Sequence, residues 1–338
     1  MKLLKKILLF GILPLCVLAA LGAGGAWWLV HRPLDLPSST PVEFVVPAGS
    51  GPVALARSLS TAGVSTPVPA RGVALLSRFT GQDKLLKAGA YEAKPGDTLL
   101  DILDRVARGD MIHRQITFVE GWTYRQIRTA LANHPDVRHT LSNQSEQEIL
   151  AKLDAKQTHL EGLFFPDTYT FVPGTTDLDL LRTAYQAQLR ELNKAWEARE
   201  PDLPLATPYE ALILASIIEK ETGHGPERAR IGGVFINRLR IGMPLQTDPT
   251  VIYGMGDAYQ GRIRKRDLQT DTPWNTYTRS GLPPTPIAAP GREALMAAVR
   301  PEPHRFLYFV SRGDGTSEFA GSLSEHNRNV RQYILGKK

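Results

Sequence analysis

Residues 212–223 read LILASIIEKETG. An apolar run that asks to be buried ends abruptly in Glu219, Lys220 and Glu221, and the way this segment is enclosed decides the fold around it. Just upstream, Thr207 and Glu210 make the T-x-x-E pattern of a capping box. Pro208 takes the first helical position, where its missing N–H costs nothing. The spacing predicts a helix from 208 through Glu221, with Gly223 as its left-handed stop. A helix apolar on most sides has to be surrounded by other elements. Helical spacing puts Glu219 with Leu212 and Ala215, and Glu221 with Leu214, Ile217 and Glu210. Both faces are partly apolar, so spacing does not choose between the two carboxylates. Apolar neighbours and the negative end of the helix raise the pKa of Glu219, while Lys220 and Arg228 pull the other way. A carboxylic acid kept neutral near pH 7 suits glycosidic bond cleavage, where the leaving oxygen must be protonated. The same glutamate is equally at home as the point where a helix surfaces.

The 338 residues carry 40 Lys and Arg against 34 Asp and Glu, a formal charge of +6. That length accommodates an anchor and two domains. The excess suits a membrane surface or an ordinary soluble face. No basic stripe interleaved with aromatics supports nucleic-acid binding. MKLLKK at residues 1–6 reads as a cytoplasmic tail, and the uncharged stretch 7–30 as a transmembrane anchor. A bilayer needs about 20 helical residues. Trp27 and Trp28 fall where an interfacial belt lies, and the leading lysines keep that end in the cytoplasm. A cleaved signal peptide has a shorter apolar region, about 7–15 residues. A lipoprotein needs a small residue before its cysteine, and Leu15 precedes Cys16. Cys16 is the single cysteine, so disulfides and cysteine-ligated metals are not expected beyond the anchor.

Residues 31–41, HRPLDLPSSTP, read as a short stiff linker. From residue 42 a strand leads through a Pro/Gly turn into a helix with Val53, Leu55, Ala56 and Leu59 on its inner face. A similar unit recurs at 88–110, where Leu99, Ile102, Leu103 and Val106 line a helix. Its PGDTLLDIL segment resembles a LysM-type module, a small strand–helix–helix–strand glycan-binding unit. Asp97 reads as the N-cap of that helix. From residue 112 come a strand, a Gly turn and a helix, then amphipathic helices near 145–155 and 178–198. Between these helices LEGLFFPDTYTF, residues 160–171, reads either as a core-filling loop or as a cleft wall on which a sugar stacks.

Downstream of the apolar helix, four stretches occur in order: ETGHGPERARIGGVFINRLRIGMPLQTDPTVIYGMG, DTPWNTYTRSGLPPTPIAAPG, FLYFVSRGDG and SEHNRNV. With LEGLFFPDTYTF and the anchor, they resemble the endolytic murein transglycosylase (YceG-like) family over residues 42–335. The resemblance implies an α+β protein. A single transmembrane helix precedes a LysM-like domain at 42–111 and a mixed α/β catalytic domain at 112–338. It implies a lytic transglycosylase of the inner membrane whose catalytic domain is periplasmic. Such an enzyme cuts the MurNAc–GlcNAc bond of nascent glycan strands, forms 1,6-anhydroMurNAc ends and terminates strand elongation beside penicillin-binding synthases. In the family the acid/base is the first glutamate of the I-I-E-K/R-E-T stretch, here Glu219. Gln246, Thr247, Asp248, Tyr253, Asn275 and Tyr277 are assigned to substrate binding from the resemblance and side-chain type. Two positions depart from the family pattern: Ser317 stands where a histidine is usual, and Thr285 where glycine is usual.

No metal and no cofactor are expected. His224, His304 and His326 lack zinc-ligand spacing, and His326 reads as a hydrogen-bonded structural residue near the cleft. Asp248 reads as an Asp-Pro turn former. If it flanks the bond instead, a hydrolase producing reducing ends becomes the alternative. A third reading is a non-catalytic LysM-type peptidoglycan-binding scaffold, which leaves glycans uncut.

Overall fold

A computed structural model of the chain describes residues 13–223 and 225–336. The expected tail, the first residues of the expected span and His224 lie outside the described residues. The first element, α1 (Leu13–His31), is 19 residues with mean hydropathy 1.8, long and apolar enough to cross a membrane. None of its side chains is buried against the protein.

The chain divides into two compact units, and the first holds residues up to Arg114 together with Phe171–Gly174. Strand β1 (Val42–Val46) leads through α2 (Pro52–Thr61) and α3 (Ala70–Phe79) to β2 (Gly89–Ala93), and α4 (Leu99–Arg108) follows. The two strands pair antiparallel, Val42 opposite Ala93 and Val46 opposite Gly89. Phe44, Leu55, Leu59, Tyr91, Ile102 and Val106 form the core, as the helical and alternating periodicities require. Two local expectations need correcting. The N-cap of α4 is Thr98, which makes a reciprocal box with Asp101. Asp97 is committed elsewhere, to the Arg105 guanidinium at 2.5 Å and the Lys94 N–H at 2.7 Å. The stretch 31–41 is not a free linker throughout. Leu34 is buried in the core, and its N–H donates to Asp97 O at 2.8 Å.

The second unit takes residues 115–170 and everything from Thr175. In order come β3 (Arg114–Thr117), α5 (Tyr124–Asn133), α6 (Glu146–Leu153), β4 (Thr168–Phe171), α7 (Asp177–Glu197), α8 (Pro208–Glu221), α9 (Arg228–Arg240), α10 (Asp248–Met255), α11 (Lys265–Gln269), α12 (Arg292–Val299), β5 (Tyr308–Ser311), β6 (Ser317–Ala320) and α13 (Leu323–Tyr333). Strands β3 and β4 pair with each other, as do β5 and β6. The fold is thus mixed, with helices dominating and two-stranded sheets at its margins. Leu163, Phe164, Phe165 and Tyr169 are buried, so the aromatic stretch 160–171 fills core rather than presenting rings to solvent.

At the centre lies α8, packed by α7, α9, α10 and α12. All eight residues from Ala211 to Ile218 are buried. Its start follows half of the expected box: Thr207 Oγ1 accepts the Glu210 N–H, while the Glu210 carboxylate reaches past the cap to the Ala206 N–H. Its end differs. Thr222 is extended, with φ −143°, so the β-branched residue itself ends the helix, and Gly223 has no left-handed φ. Helix α9 approaches α12 through Gly232, where an added Cβ would stand 2.5 Å from the backbone oxygen of Ala297. A backbone atom cannot swing aside. Gly232→Ala is therefore expected to cost about 1–3 kcal/mol. Thermal unfolding checks this, and an unchanged Tm would contradict the close packing.

Candidate active site

The two glutamates that end α8 part company. Glu219 has a side chain only 5% exposed. One of its oxygens accepts the Gly291 N–H at 2.9 Å, and the other meets Arg228 at 3.2 Å. Arg228 is itself shared with Glu293, by a shorter contact, and with Glu120 at 3.9 Å. Burial raises the Glu219 pKa, Glu120 adds to the rise, and the Gly291 N–H and Arg228 oppose it. Lys220 takes no part, because its ammonium donates to Gly121 O. Glu219 thus has both oxygens occupied by protein donors, and it lines neither of the cavities that meet at the end of α8.

Glu221 lines both. One cavity, of about 380 Å³, has Arg238, Gln246, Asp248, Tyr277 and Tyr308 in its wall. The other, about 590 Å³, is bounded by Thr222, Ser311, Thr316 and Ser317. Thr247 Oγ1 donates a hydrogen bond to the Glu221 carboxylate. Burial pushes the carboxyl up to about 7, helped by the Asp248 charge and opposed by the Thr247 bond and Arg238. Glu221 is thus a carboxyl raised by burial, in the wall of two cavities.

The loop before α10 supplies part of the first cavity. Gln246 sits at φ +49°, a region that non-glycine residues seldom occupy. It is held there by a bond from its N–H to Thr276 O at 3.1 Å, and the Thr247 N–H donates to Thr276 Oγ1 at 3.1 Å. Such local strain persists only where surrounding bonds over-determine it. Asp248 opens α10 as its first helical residue rather than making a turn. Its carboxylate accepts the Tyr277 hydroxyl at 2.6 Å. Burial raises the Tyr277 pKa, with the Asp248 carboxylate adding to it.

Gln246, Thr247, Asp248 and Tyr277 are therefore brought together, around Glu221 and not around Glu219. Asn275 does not join them. It is 1% exposed, its amide donates to Leu268 O and Thr270 O, and its oxygen accepts the Tyr277 N–H. The expectation of substrate contact gives way to a role in fixing the loop that carries Tyr277. Thr247 is 2% exposed, and its hydroxyl is committed to Glu221. Tyr253 belongs to a different cavity, its hydroxyl donating to Glu161 at 3.1 Å.

Sequence reasoning missed Arg238 and Tyr308. Arg238 is 7% exposed, donates to Leu307 O and Leu245 O at 2.6 Å each, and stacks on Tyr308 with 5.3 Å to the ring centroid. The signal was available: with Ile231, Val234 and Phe235 it completes the i, i+3, i+4, i+7 stripe that faces inward. His326 lies flat on Tyr308 at 5.2 Å, and burial lowers its pKa, Arg238 adding to the effect. Contrary to expectation, its Nδ1 has no hydrogen-bond partner among the described residues. His304 stands apart, its Nε2 on Arg230 O and its Nδ1 accepting the Phe306 N–H. Ser317 faces the larger cavity, and its N–H donates to Glu227.

Residues 44–332 match the YceG-like family. An endolytic murein transglycosylase of Bacillus subtilis is 30% identical, over 90% of this chain and 88% of its own length. One of Streptococcus pneumoniae is 27% identical, over 96% of this chain and 65% of its own. The crystal structure of a YceG-like protein from Listeria monocytogenes superposes with a TM-score of 0.52 at 28% identity, covering 86% of this chain and 99% of that one. Matches of this extent, reaching both units and every element from β1 to α13, leave one classification: the chain belongs to the YceG-like family.

Proposed function

We infer that the protein is an endolytic peptidoglycan transglycosylase in which a carboxyl at the end of α8 supplies the proton; the resemblance gives that role to Glu219, and the cavities favour Glu221. The observation that carries this assignment is the position of Glu221 between two cavities, with a carboxyl pushed up to about 7. A strand crossing the end of α8 has sugars on either side of that carboxyl. Glu221 protonates the oxygen joining N-acetylmuramic acid to N-acetylglucosamine, and the bond to the anomeric carbon breaks. The resulting carboxylate then takes the proton of the muramic acid C6 hydroxyl as that oxygen bonds to the anomeric carbon, closing a 1,6-anhydro ring. The nucleophile belongs to the substrate, so neither an activated water nor a second catalytic carboxylate is required. Gln246 and Tyr277 offer amide and hydroxyl groups to sugar hydroxyls and acetamides. Asp248 holds Tyr277 and, by like charge, keeps Glu221 protonated.

The same reading extends to the rest of the chain. α1 anchors the protein in the inner membrane, residues 1–6 lie in the cytoplasm, and both folded units are periplasmic. Its support is the apolar length of α1 and the lysines before it. The strand–helix–helix–strand run from β1 to β2 supports a LysM-like glycan-binding role for the first unit, although the PGDTLL segment falls after its second strand. Synthases that extrude nascent strands are the partners such an activity calls for.

The test is to incubate the full-length protein in detergent with uncrosslinked glycan strands and identify new chain ends by mass spectrometry. Anhydro ends are expected; reducing ends would move the reaction to hydrolysis and make Asp248 its second carboxylate. A pH profile follows from the same geometry. The acid must be protonated, so kcat/KM falls as pH rises through about 7. Asp248→Asn removes the like charge and is expected to move that descending limb to lower pH. An unmoved limb would show that Asp248 does not act on Glu221.

A further inference from the structure

A second polar cavity in the same unit takes no part in the reaction just described. It measures about 470 Å³. Helix α10 joins it to the first: Asp248 opens that helix at the Glu221 cavity, and Ile252 and Tyr253 line this one. Five helical steps separate Asp248 from Tyr253, about 7.5 Å along the axis. The helix lies close on the loop beneath because residue 254 is glycine, where a Cβ would stand 2.5 Å from Thr272 Oγ1.

The interior is specific. Glu161, 7% exposed, accepts the Tyr124 N–H at 2.9 Å and the Tyr253 hydroxyl at 3.1 Å. Burial pushes its carboxyl up to about 7, against those two bonds. The rings of Tyr253 and Trp274 meet edge to face at 5.4 Å. The Trp274 indole N–H donates to Thr285 Oγ1 at 2.9 Å, so the residue that departs from the usual glycine orients this ring. At the mouth, Arg125 pairs with Asp257, and His159 stands 4.0 Å from Glu146. Aromatic surface, a buried carboxyl and a rim where Arg125 is paired with Asp257 are the complement of a sugar. N-acetylglucosamine is uncharged and carries an apolar ring face edged with hydroxyls and an acetamide.

We propose that this cavity is a second saccharide site, binding an N-acetylhexosamine unit of the same glycan strand whose bond lies at Glu221. The strand is then held at two points, and cleavage falls within its length rather than at its end. This rests on the function inferred above, and the experiment keeps the two separable. Full-length Glu221→Gln protein in detergent is titrated with uncrosslinked glycan strands of defined length, alone and combined with Trp274→Ala or Thr285→Gly. Trp274→Ala is expected to weaken binding of long strands about tenfold, the worth of one aromatic contact of about 1.4 kcal/mol. Disaccharide-length fragments, which fill one cavity, lose little. Thr285→Gly, which removes the hydroxyl together with a small buried methyl and is therefore read beside Tm, shifts long-strand binding the same way by about threefold. Equal affinity of parent and both variants for long strands, with Tm unchanged, would overturn the site while leaving the cleavage reaction intact. Trp274-dependent binding, with no cleavage by the wild-type protein carrying Glu221, would support the site and sink the enzyme.

Discussion

Glu221→Gln is expected to slow strand cleavage roughly 10²–10⁴-fold, the usual worth of a positioned general acid, with strand binding retained. The amide keeps the shape of the side chain and can still accept from Thr247, but it has no proton to give. The same change at Glu219 is expected to leave the rate per folded molecule within about tenfold. Its effect on stability is small, because burial already raises the Glu219 carboxyl against Arg228 and the Gly291 N–H, and the amide oxygen can still accept from either. Arg228 retains Glu293 and Glu120, which limits the damage. Glu221→Gln is expected to show its effect on stability through pH. A carboxyl raised from 4.5 to about 7 by folding binds more protons in the folded state than in the unfolded state between those values. Its contribution is fully present below about pH 4.5 and is lost as pH rises through about 7. At pH 8 the glutamine variant is therefore at least as stable as the parent. Rates and unfolding curves at pH 6 and pH 8 for both variants check all of this, and the reverse ranking of rates would return the proton to Glu219.

Phe235→Ala carries the largest expected loss of stability, about 3–5 kcal/mol for a fully buried ring. Phe235 is 1% exposed and meets Phe309 edge-on at 6.1 Å and 87°. It also forms part of the wall of the Glu221 cavity. Its removal strips α9 from β5 and leaves a hollow beside the reacting carboxyl, so activity falls with Tm. Phe235→Leu, which keeps most of the volume, is expected to recover most of the stability. A Tm loss below a few degrees for the alanine variant would mean that the wall collapses to fill the gap, contradicting a rigid floor beneath the acid.

What the chain announces locally, it announces well. Pro208 and Thr207 mark the start of α8, and Leu99, Ile102, Leu103 and Val106 mark the buried face of α4. These signals work because capping and amphipathic spacing are settled within a few residues. What could not be read depended on distant partners. Leu212 and Ala215 beneath Glu219 are as buried as Leu214 and Ile217 beneath Glu221. The difference between the two acids comes from Gly291, 72 positions on, and Thr247, 26 positions on. Asn275 has the side chain of a sugar ligand, yet the carbonyls of Asp267 and Leu268 on α11 and of Thr270 just after it claim its amide. Leu34 sits in a Pro-rich stretch with the composition of a linker, yet with Leu36 beside it and bridges to Thr98 and Ser65 it is drawn into a core. Gln246, Asp248 and Tyr277 were legible as a group through the resemblance alone; their gathering at Glu221 required the fold.

The central claim is that the chain buries a carboxyl at Glu221 so that it holds a proton at neutral pH. The most direct measurement is the carbon-13 shift of the glutamate side-chain carboxyls against pH in the full-length protein, with Glu221→Gln identifying the resonance. A Glu221 titration centred near pH 7 is the predicted result. A midpoint at or below the ordinary 4.5 would mean a carboxylate with no proton to donate, and would contradict the mechanism at its first step.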